Sequence, residues 1–228
     1  WLKAKPGRGG TPPVFRLFGY AGTGKTTLAR HIADGVNGEV KFAAFTGKAA
    51  LVMRNKGCDN ASTIHSLIYR AKESGVEQPS FELWDDAPAS KAKLIVIDEC
   101  SMVDAELGRD LMSFGVPVLV LGDPAQLPPI QSGAGAGFFT EAEPDAMLTE
   151  VHRQAQDDPI VRLSMDIRAG REIEPFRDGD TQVVSRNELD PQRVLEADQV
   201  LVGRNATRRA YNARLRERRG ITDPLPVA

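Results

Sequence analysis

The sequence predicts an α/β fold, a mostly parallel sheet flanked by helices with a small inserted hairpin. Three observations carry that prediction. Gly19-Tyr20-Ala21-Gly22-Thr23-Gly24-Lys25-Thr26 is a full match to the phosphate-binding pattern G-x-x-x-x-G-K-[ST]. A strand-like run, residues 14–18, precedes it, and a helix-like run, residues 27–33, follows it. Leu94-Ile95-Val96-Ile97 and Val116-Pro117-Val118-Leu119-Val120-Leu121 are continuous apolar runs, as buried parallel strands are.

The phosphate-binding stretch has a chemistry of its own. Glycines let the backbone turn tightly and aim its N–H groups at phosphate oxygens. The helix start adds free N–H groups and a positive dipole end. Lys25 can then reach the β- and γ-phosphates of a nucleotide, and the Thr26 hydroxyl can hold Mg²⁺. Gly22, Thr23, Gly24 and Thr27 complete the expected cradle.

Taken in order, residues 6–13 read as a loop before the first strand. After the helix, Gly35 and Gly38 bracket a turn, and residues 39–45 read as a second strand. Thr46-Gly47-Lys48-Ala49-Ala50 closes it and starts a helix running to about Lys56. Thr46 and Lys48 therefore sit at the carboxyl end of a strand, the edge where α/β sheets bind ligands. Ala61-Ser62-Thr63-Ile64-His65-Ser66-Leu67 reads as a loop. His65, beside hydroxyls, suits a phosphate or base contact, or general-base work. Without Cys or carboxylate spacing a metal role is disfavoured. An ordinary surface histidine fits the spacing equally well.

Residues 67–93 break the strand–helix rhythm. Leu67-Ile68-Tyr69-Arg70 and Phe81-Glu82-Leu83-Trp84 are strand-like, with a turn-rich segment between them. The reading is an inserted hairpin, and its alternative is a plain surface loop. The run at 94–97 ends in Asp98 and Glu99. There one acid can bind Mg²⁺ and the next can orient and deprotonate an attacking water. Cys100 and Met102 read as packing residues.

The run at 116–121 leads into Gly122-Asp123-Pro124-Ala125-Gln126-Leu127-Pro128-Pro129-Ile130. Gln126 is neutral and hydrogen-bonding, suited to a γ-phosphate or its water. Arg153 could neutralise charge on that phosphate, although alone it is equally a surface arginine. Residues 157–168 have helical spacing and end near Gly170. Residues 183–184 and 199–202 read as strands. A helix from Asn205 carries Arg208, Arg209, Arg214, Arg216, Arg218 and Arg219, either a phosphate-facing or a solvated charged face.

A formal net charge of −2 means that any nucleic-acid surface has to be local. Two cysteines, Cys58 and Cys100, argue against a disulfide framework and fit a reducing cytoplasm. No apolar run approaches membrane-spanning length and no signal-peptide pattern opens the chain, so no membrane is expected as a partner. Trp1-Leu2-Lys3-Ala4-Lys5 resembles the tail of a helix, and the last strand and helix precede a short Pro-rich end. The chain thus reads as part of a longer polypeptide.

Taken together, GYAGTGKTT, FTGKAA, STIHSL, IVIDECSMV, GDPAQLPPI, TEVHRQ and VLVGRNATRRAYNARLR resemble the superfamily 1 DNA helicases of the RecD/Dda-like, 5′-to-3′ branch. Nearly the whole chain is covered, in order. The combination of TGKAA, DE-x-SM and GD-x-x-QLPP is far more specific than the phosphate loop alone. The resemblance implies a RecA-like P-loop NTPase domain with ATP and Mg²⁺ at the carboxyl edge of its sheet. Lys25 and Thr26 would bind phosphate and Mg²⁺, Asp98 would position the metal and Glu99 would be the base. Gln126 would sense the γ-phosphate, and Arg153 would stabilise its transition-state charge.

Thr46, Lys48, His65 and Ser66 would line a single-stranded DNA track. Phe81 and Trp84, on the inserted pin-like subdomain, would offer rings for bases to stack on. The implied domains are 1–66 with 94–178 (first RecA-like ATPase domain), 67–93 (hairpin) and 179–228 (start of a second RecA-like domain). The family's glutamine-containing adenine motif and its later second-domain motifs do not appear. These 228 residues alone are therefore expected to hydrolyse ATP poorly and not to unwind DNA. The alternatives are an ATP-gated nucleic-acid-binding or scaffold module, or an RNA helicase of the same superfamily.

Overall fold

Helix starts and buried strands fall where capping and burial put them. The computed structural model describes residues 12–72, 80–127, 129, 137–150 and 157–222. Strand β1 (Val14–Gly19) leads into helix α1 (Lys25–Asp34), and β2 (Val40–Ala44) into α2 (Gly47–Asn55). The short β3 (Ser62–Thr63) runs directly into α3 (Ile64–Ile68). An antiparallel hairpin follows, β4 (Tyr69–Lys72) with β5 (Ser80–Leu83). Then come β6 (Leu94–Asp98), α4 (Ala105–Met112), β7 (Val118–Gly122), β8 (Ala146–Leu148) and α5 (Pro159–Arg168). These elements lie in the first of two compact units, which ends at Arg171.

Six strands form one parallel sheet in the order β3-β2-β6-β7-β1-β8. Both faces are covered, so the central strands are apolar throughout. The period of two then divides each strand between two cores. Leu94, Val96, Leu119 and Leu121 pack with Ala29 of α1 and Met53 of α2. Ile95, Ile97, Val118 and Val120 pack with Ile64 of α3, Leu111 of α4 and Phe139. This is the doubly covered α/β fold of a P-loop NTPase, as expected.

Three local expectations need correction. Leu67 and Ile68 belong to α3, not to a hairpin strand, and His65 lies on that helix rather than in a loop. The reason is local: the Thr63 hydroxyl caps the helix by accepting from the Ser66 amide at 3.1 Å. Ile64, Leu67 and Ile68, at helical spacing, are all buried. Residues 199–202 form no strand among the described residues. In the second unit β9 (Phe176–Asp178) pairs with β10 (Thr181–Val183), and Leu201 stays 82% exposed. A strand needs a ladder partner to satisfy its backbone.

The second compact unit, Glu172–Ala228, also carries α6 (Pro191–Glu196) and α7 (Asn205–Arg218). Its start precedes the boundary expected at 178, and β9 falls within it.

The hairpin is fastened at its root. The Tyr69 hydroxyl donates to Asp110 Oδ2 of α4 at 2.6 Å, and the Trp84 amide donates to the Ile68 carbonyl at 3.0 Å. Burial first, then the bond to Asp110, holds the Tyr69 phenol far above its ordinary pKa. It therefore remains a donor. Tyr69→Phe leaves that carboxylate oxygen without its partner and should lower unfolding stability by about 1–2 kcal/mol. A urea titration with an unchanged midpoint would refute this.

Candidate nucleotide site

The phosphate loop arises from where glycine is needed. Gly22 and Gly24 adopt φ of 76° and 81°, left-handed values that residues with a Cβ rarely take. The second of these is the N-cap of α1, so the helix opens at Lys25. The loop is tied to itself: Thr23 Oγ1 donates to the Tyr20 carbonyl at 2.8 Å. Lys25 Nζ donates to the carbonyls of Gly19 and Tyr20 at 2.7 and 2.9 Å. An ammonium carries three donors, so these two bonds leave a third for another acceptor.

The carboxylates reach this loop from two strands away. β7 lies between β1 and β6, so at about 4.8 Å per strand the two ends are ~10 Å apart. The start of α1 bridges the gap, and Thr26 Oγ1 donates to Asp98 Oδ2 at 2.9 Å. The other Asp98 oxygen, Oδ1, accepts from the Glu99 amide at 2.9 Å. Glu99 itself adopts φ 56° and ψ 46°. A left-handed non-glycine residue is uncommon and is held by its surroundings. It does not cap α4. That task falls to Asp104, whose Oδ1 accepts from the amides of Glu106 and Leu107.

One cleft of about 460 Å³ joins these groups. Its walls include Gly22, Thr23, Gly24, Lys25, Thr26 and Thr27, and opposite them Asp98, Glu99 and Gln126. Gln126 Oε1 accepts from the Ser101 hydroxyl at 3.1 Å, which orients the amide. Burial lowers the Lys25 pKa, while the charges of Asp123, Asp98 and Glu99 oppose the shift and Arg168 adds to it. A hydroxyl and a carboxylate in contact are hard oxygen donors of the kind that suit Mg²⁺, which keeps several waters and phosphate oxygens. Thr26 and Asp98 fit that ion. Among the described residues there is no cluster of three or more His, Cys, Asp or Glu that could hold a metal by itself.

The expected strand-track residues fall at the carboxyl edge of β2 and β3. Thr46 caps α2, its Oγ1 accepting from the Ala49 amide at 3.1 Å. Lys48 is exposed in the first turn of α2. His65 is exposed on α3, its ring 6.0 Å from Phe45 and 5.8 Å from Tyr69. The Ser66 hydroxyl pairs with Thr63 Oγ1 at 2.8 Å. Phe81 is 61% exposed on β5, while Trp84 is half-buried beyond it. None of these six residues is among the walls of the cleft. Arg153 lies outside the described residues.

Sequence reasoning missed part of the site. Ala49, Val52 and Lys56 of the α2 region also form its wall. So does the environment beside it: Asp123, in the stretch after β7, forms a two-bond ion pair with Arg168 of α5. Asp123 could have been suspected from its place in GD-x-x-QLPP. Nothing in the sequence signals Arg168.

This fold and cleft define a P-loop nucleotide-binding protein. Comparison with known proteins makes the class specific. A model of the AAA domain matches residues 12–182. The ATP-dependent RecD2 DNA helicase of Deinococcus radiodurans is 34% identical over 160 residues, 68% of this chain and 21% of that protein. The ATP-dependent DNA helicase dda of Enterobacteria phage T4 is 31% identical over 165 residues, 67% of this chain and 37% of that one. The chain thus spans well under half the length of these two relatives. In fold it is similar to a Bacteroides Pif1 helicase solved with ADP-AlF3 and ssDNA. The TM-score is 0.52 at 22% identity, over 95% of this chain and 55% of that one. The chain belongs to the AAA domain family, within the RecD/Dda-like branch of superfamily 1 whose motifs it carries.

Among the described residues no helix is long and apolar enough to cross a membrane.

Proposed function

We propose that this chain is the ATP-binding and hydrolysing portion of a DNA helicase or translocase, coupling ATP hydrolysis to movement on single-stranded DNA. The observation that carries the reading is the 2.9 Å contact between Thr26 Oγ1 and Asp98, in a cleft that also holds Lys25, Glu99 and Gln126. Phosphate-binding and acid groups from separate strands meet at one place, as hydrolysis of a phosphoanhydride requires.

The roles follow from the donors. The loop amides and Lys25 bind the phosphates, with Gly22, Thr23, Gly24 and Thr27 shaping the cradle. Thr26 and Asp98 hold Mg²⁺, which when bound neutralises charge on the phosphate oxygens. Glu99 accepts a proton from water. Gln126, oriented by Ser101, donates through its amide nitrogen to the γ-phosphate or its water. Arg153 is proposed for the charge that develops on transfer. Thr46, Lys48, His65 and Ser66 form the strand track, and Phe81 offers a ring for stacking with Trp84 behind it. Two free, buried cysteines fit a cytoplasmic setting. For these 228 residues alone the expected turnover is slow, with no unwinding.

The test is ATP turnover by the protein with and without single-stranded DNA. Stimulation by DNA is expected. No stimulation would favour an ATP-gated binding module over a motor. A larger response to RNA than to DNA homopolymers would move the assignment to RNA, since none of the named contacts is built to read a 2′-hydroxyl.

A further inference from the structure

Arg168 has no role in the scheme above, yet its guanidinium is firmly engaged beside the cleft. It stands at the last turn of α5, distant in sequence from the phosphate loop. Its two terminal nitrogens donate to the two oxygens of Asp123 at 2.5 and 2.7 Å. Its guanidinium carbon lies 4.4 Å from the centroid of the Tyr20 ring, a residue of the phosphate loop. The Asp123 side chain is 3% exposed and that of Arg168 20%. Arg168 Nε is buried with no hydrogen-bond partner. The guanidinium is thus held by its fork and its flat face alone; a lysine could offer Asp123 the same charge but not that fork.

The charges explain why this matters. Burial alone would raise the Asp123 carboxyl pKa. Bonds from Arg168 and the Ala125 amide, with the charges of Arg168 and Lys25, instead hold it below its usual value. Asp123 is also first among the carboxylates acting on Lys25. A buried carboxylate without its partner is strongly disfavoured and takes the nearest available cation. Lys25 is close at hand: its Nζ donates at 2.9 Å to the carbonyl of Tyr20, whose ring lies 4.4 Å from the Arg168 guanidinium carbon.

We propose that Arg168 is a positioning residue for the nucleotide site: it keeps the Asp123 carboxylate engaged, and so leaves Lys25 free to take a phosphate. Tyr20 holds the guanidinium plane in place, so the loop that wraps the phosphates also secures the group that protects its lysine. The inference rests on the nucleotide reading above.

The experiment measures binding of a fluorescent ATP analogue with Mg²⁺ to the whole chain, by anisotropy, so activity is not the readout. Arg168→Met is expected to weaken binding by about tenfold or more, since 1.4 kcal/mol lost at Lys25 is already tenfold. Adding Asp123→Asn removes the competing charge and should restore affinity to within about threefold of the parent, or ~0.7 kcal/mol. If Arg168 only fastens α5 to the loop, the double variant loses that fastening too and is not rescued, which overturns the proposal. Unchanged affinity in Arg168→Met overturns it as well. Should that variant not fold, Arg168→Lys decides: it keeps the charge but not the fork, and affinity near the parent's is expected. A loss in Arg168→Lys as deep as in Lys25→Ala overturns the proposal. Failure of the parent itself to bind the analogue refutes the nucleotide reading instead.

Discussion

Lys25→Ala is expected to abolish Mg²⁺-ATP binding at concentrations that saturate the parent protein, and with it turnover. The size of the effect follows from burial. Lys25 is a half-buried ammonium whose pKa is lowered by desolvation and supported by three nearby carboxylates. Its amine rests on the Gly19 and Tyr20 carbonyls. Removing a buried, hydrogen-bonded charge partner typically costs 2–5 kcal/mol, or roughly 30- to 4,000-fold in affinity. The fold should survive, because the bonds lost are two local ones to the Gly19 and Tyr20 carbonyls, within six residues of Lys25. Isothermal titration calorimetry beside a thermal melt separates the two effects. Parent-like affinity with an intact melt would remove Lys25 from the phosphate role.

The sequence made the centre of the molecule legible because the centre has few physical solutions. β6 and β7 are apolar at every buried position, since helices cover both faces of the sheet. The phosphate loop is readable because glycine is needed where φ turns positive. The edges were harder to read. β3 has two residues and β8 three, too short for any periodicity to appear. α3 is a five-residue helix whose first residues read as a loop and whose Leu67 and Ile68 read as strand, whereas its cap and its buried face make it a helix. The stretch 199–202 has strand composition without a ladder partner among the described residues.

The candidate site divides in the same way. Lys25, Thr26, Asp98, Glu99 and Gln126 stand in spaced patterns whose chemistry can be read directly, and they share one cleft. The Asp123–Arg168 pair spans 45 positions in sequence and matches no pattern. It exists because β7 ends beside the last turn of α5, which only tertiary packing determines. Thr46 carries a different lesson. Its hydroxyl accepts from the Ala49 amide, so a helix cap and a strand-track contact would make use of the same atom.

Glu99→Gln is expected to preserve nucleotide binding and to remove turnover. The two carboxylates at the end of β6 are not equivalent. Asp98 is engaged on both oxygens, one by the Thr26 hydroxyl and one by the Glu99 amide, which suits it to hold a metal in a fixed place. Glu99 is turned out of the strand by its left-handed backbone, and its side chain lines the cleft. A glutamine there keeps the size, the backbone and a hydrogen-bonding oxygen but cannot take a proton. Loss of a positioned general base typically lowers the rate by 10²–10⁴. DNA-stimulated turnover should therefore fall by at least about 100-fold, while affinity for Mg²⁺-ATP stays within about threefold of the parent. Asp98→Asn is the contrasting variant. It weakens metal holding and should reduce affinity and rate together, so a rate-only loss belongs to Glu99 alone. Full turnover in Glu99→Gln would mean that water is activated by another group and that the two acids share only the metal.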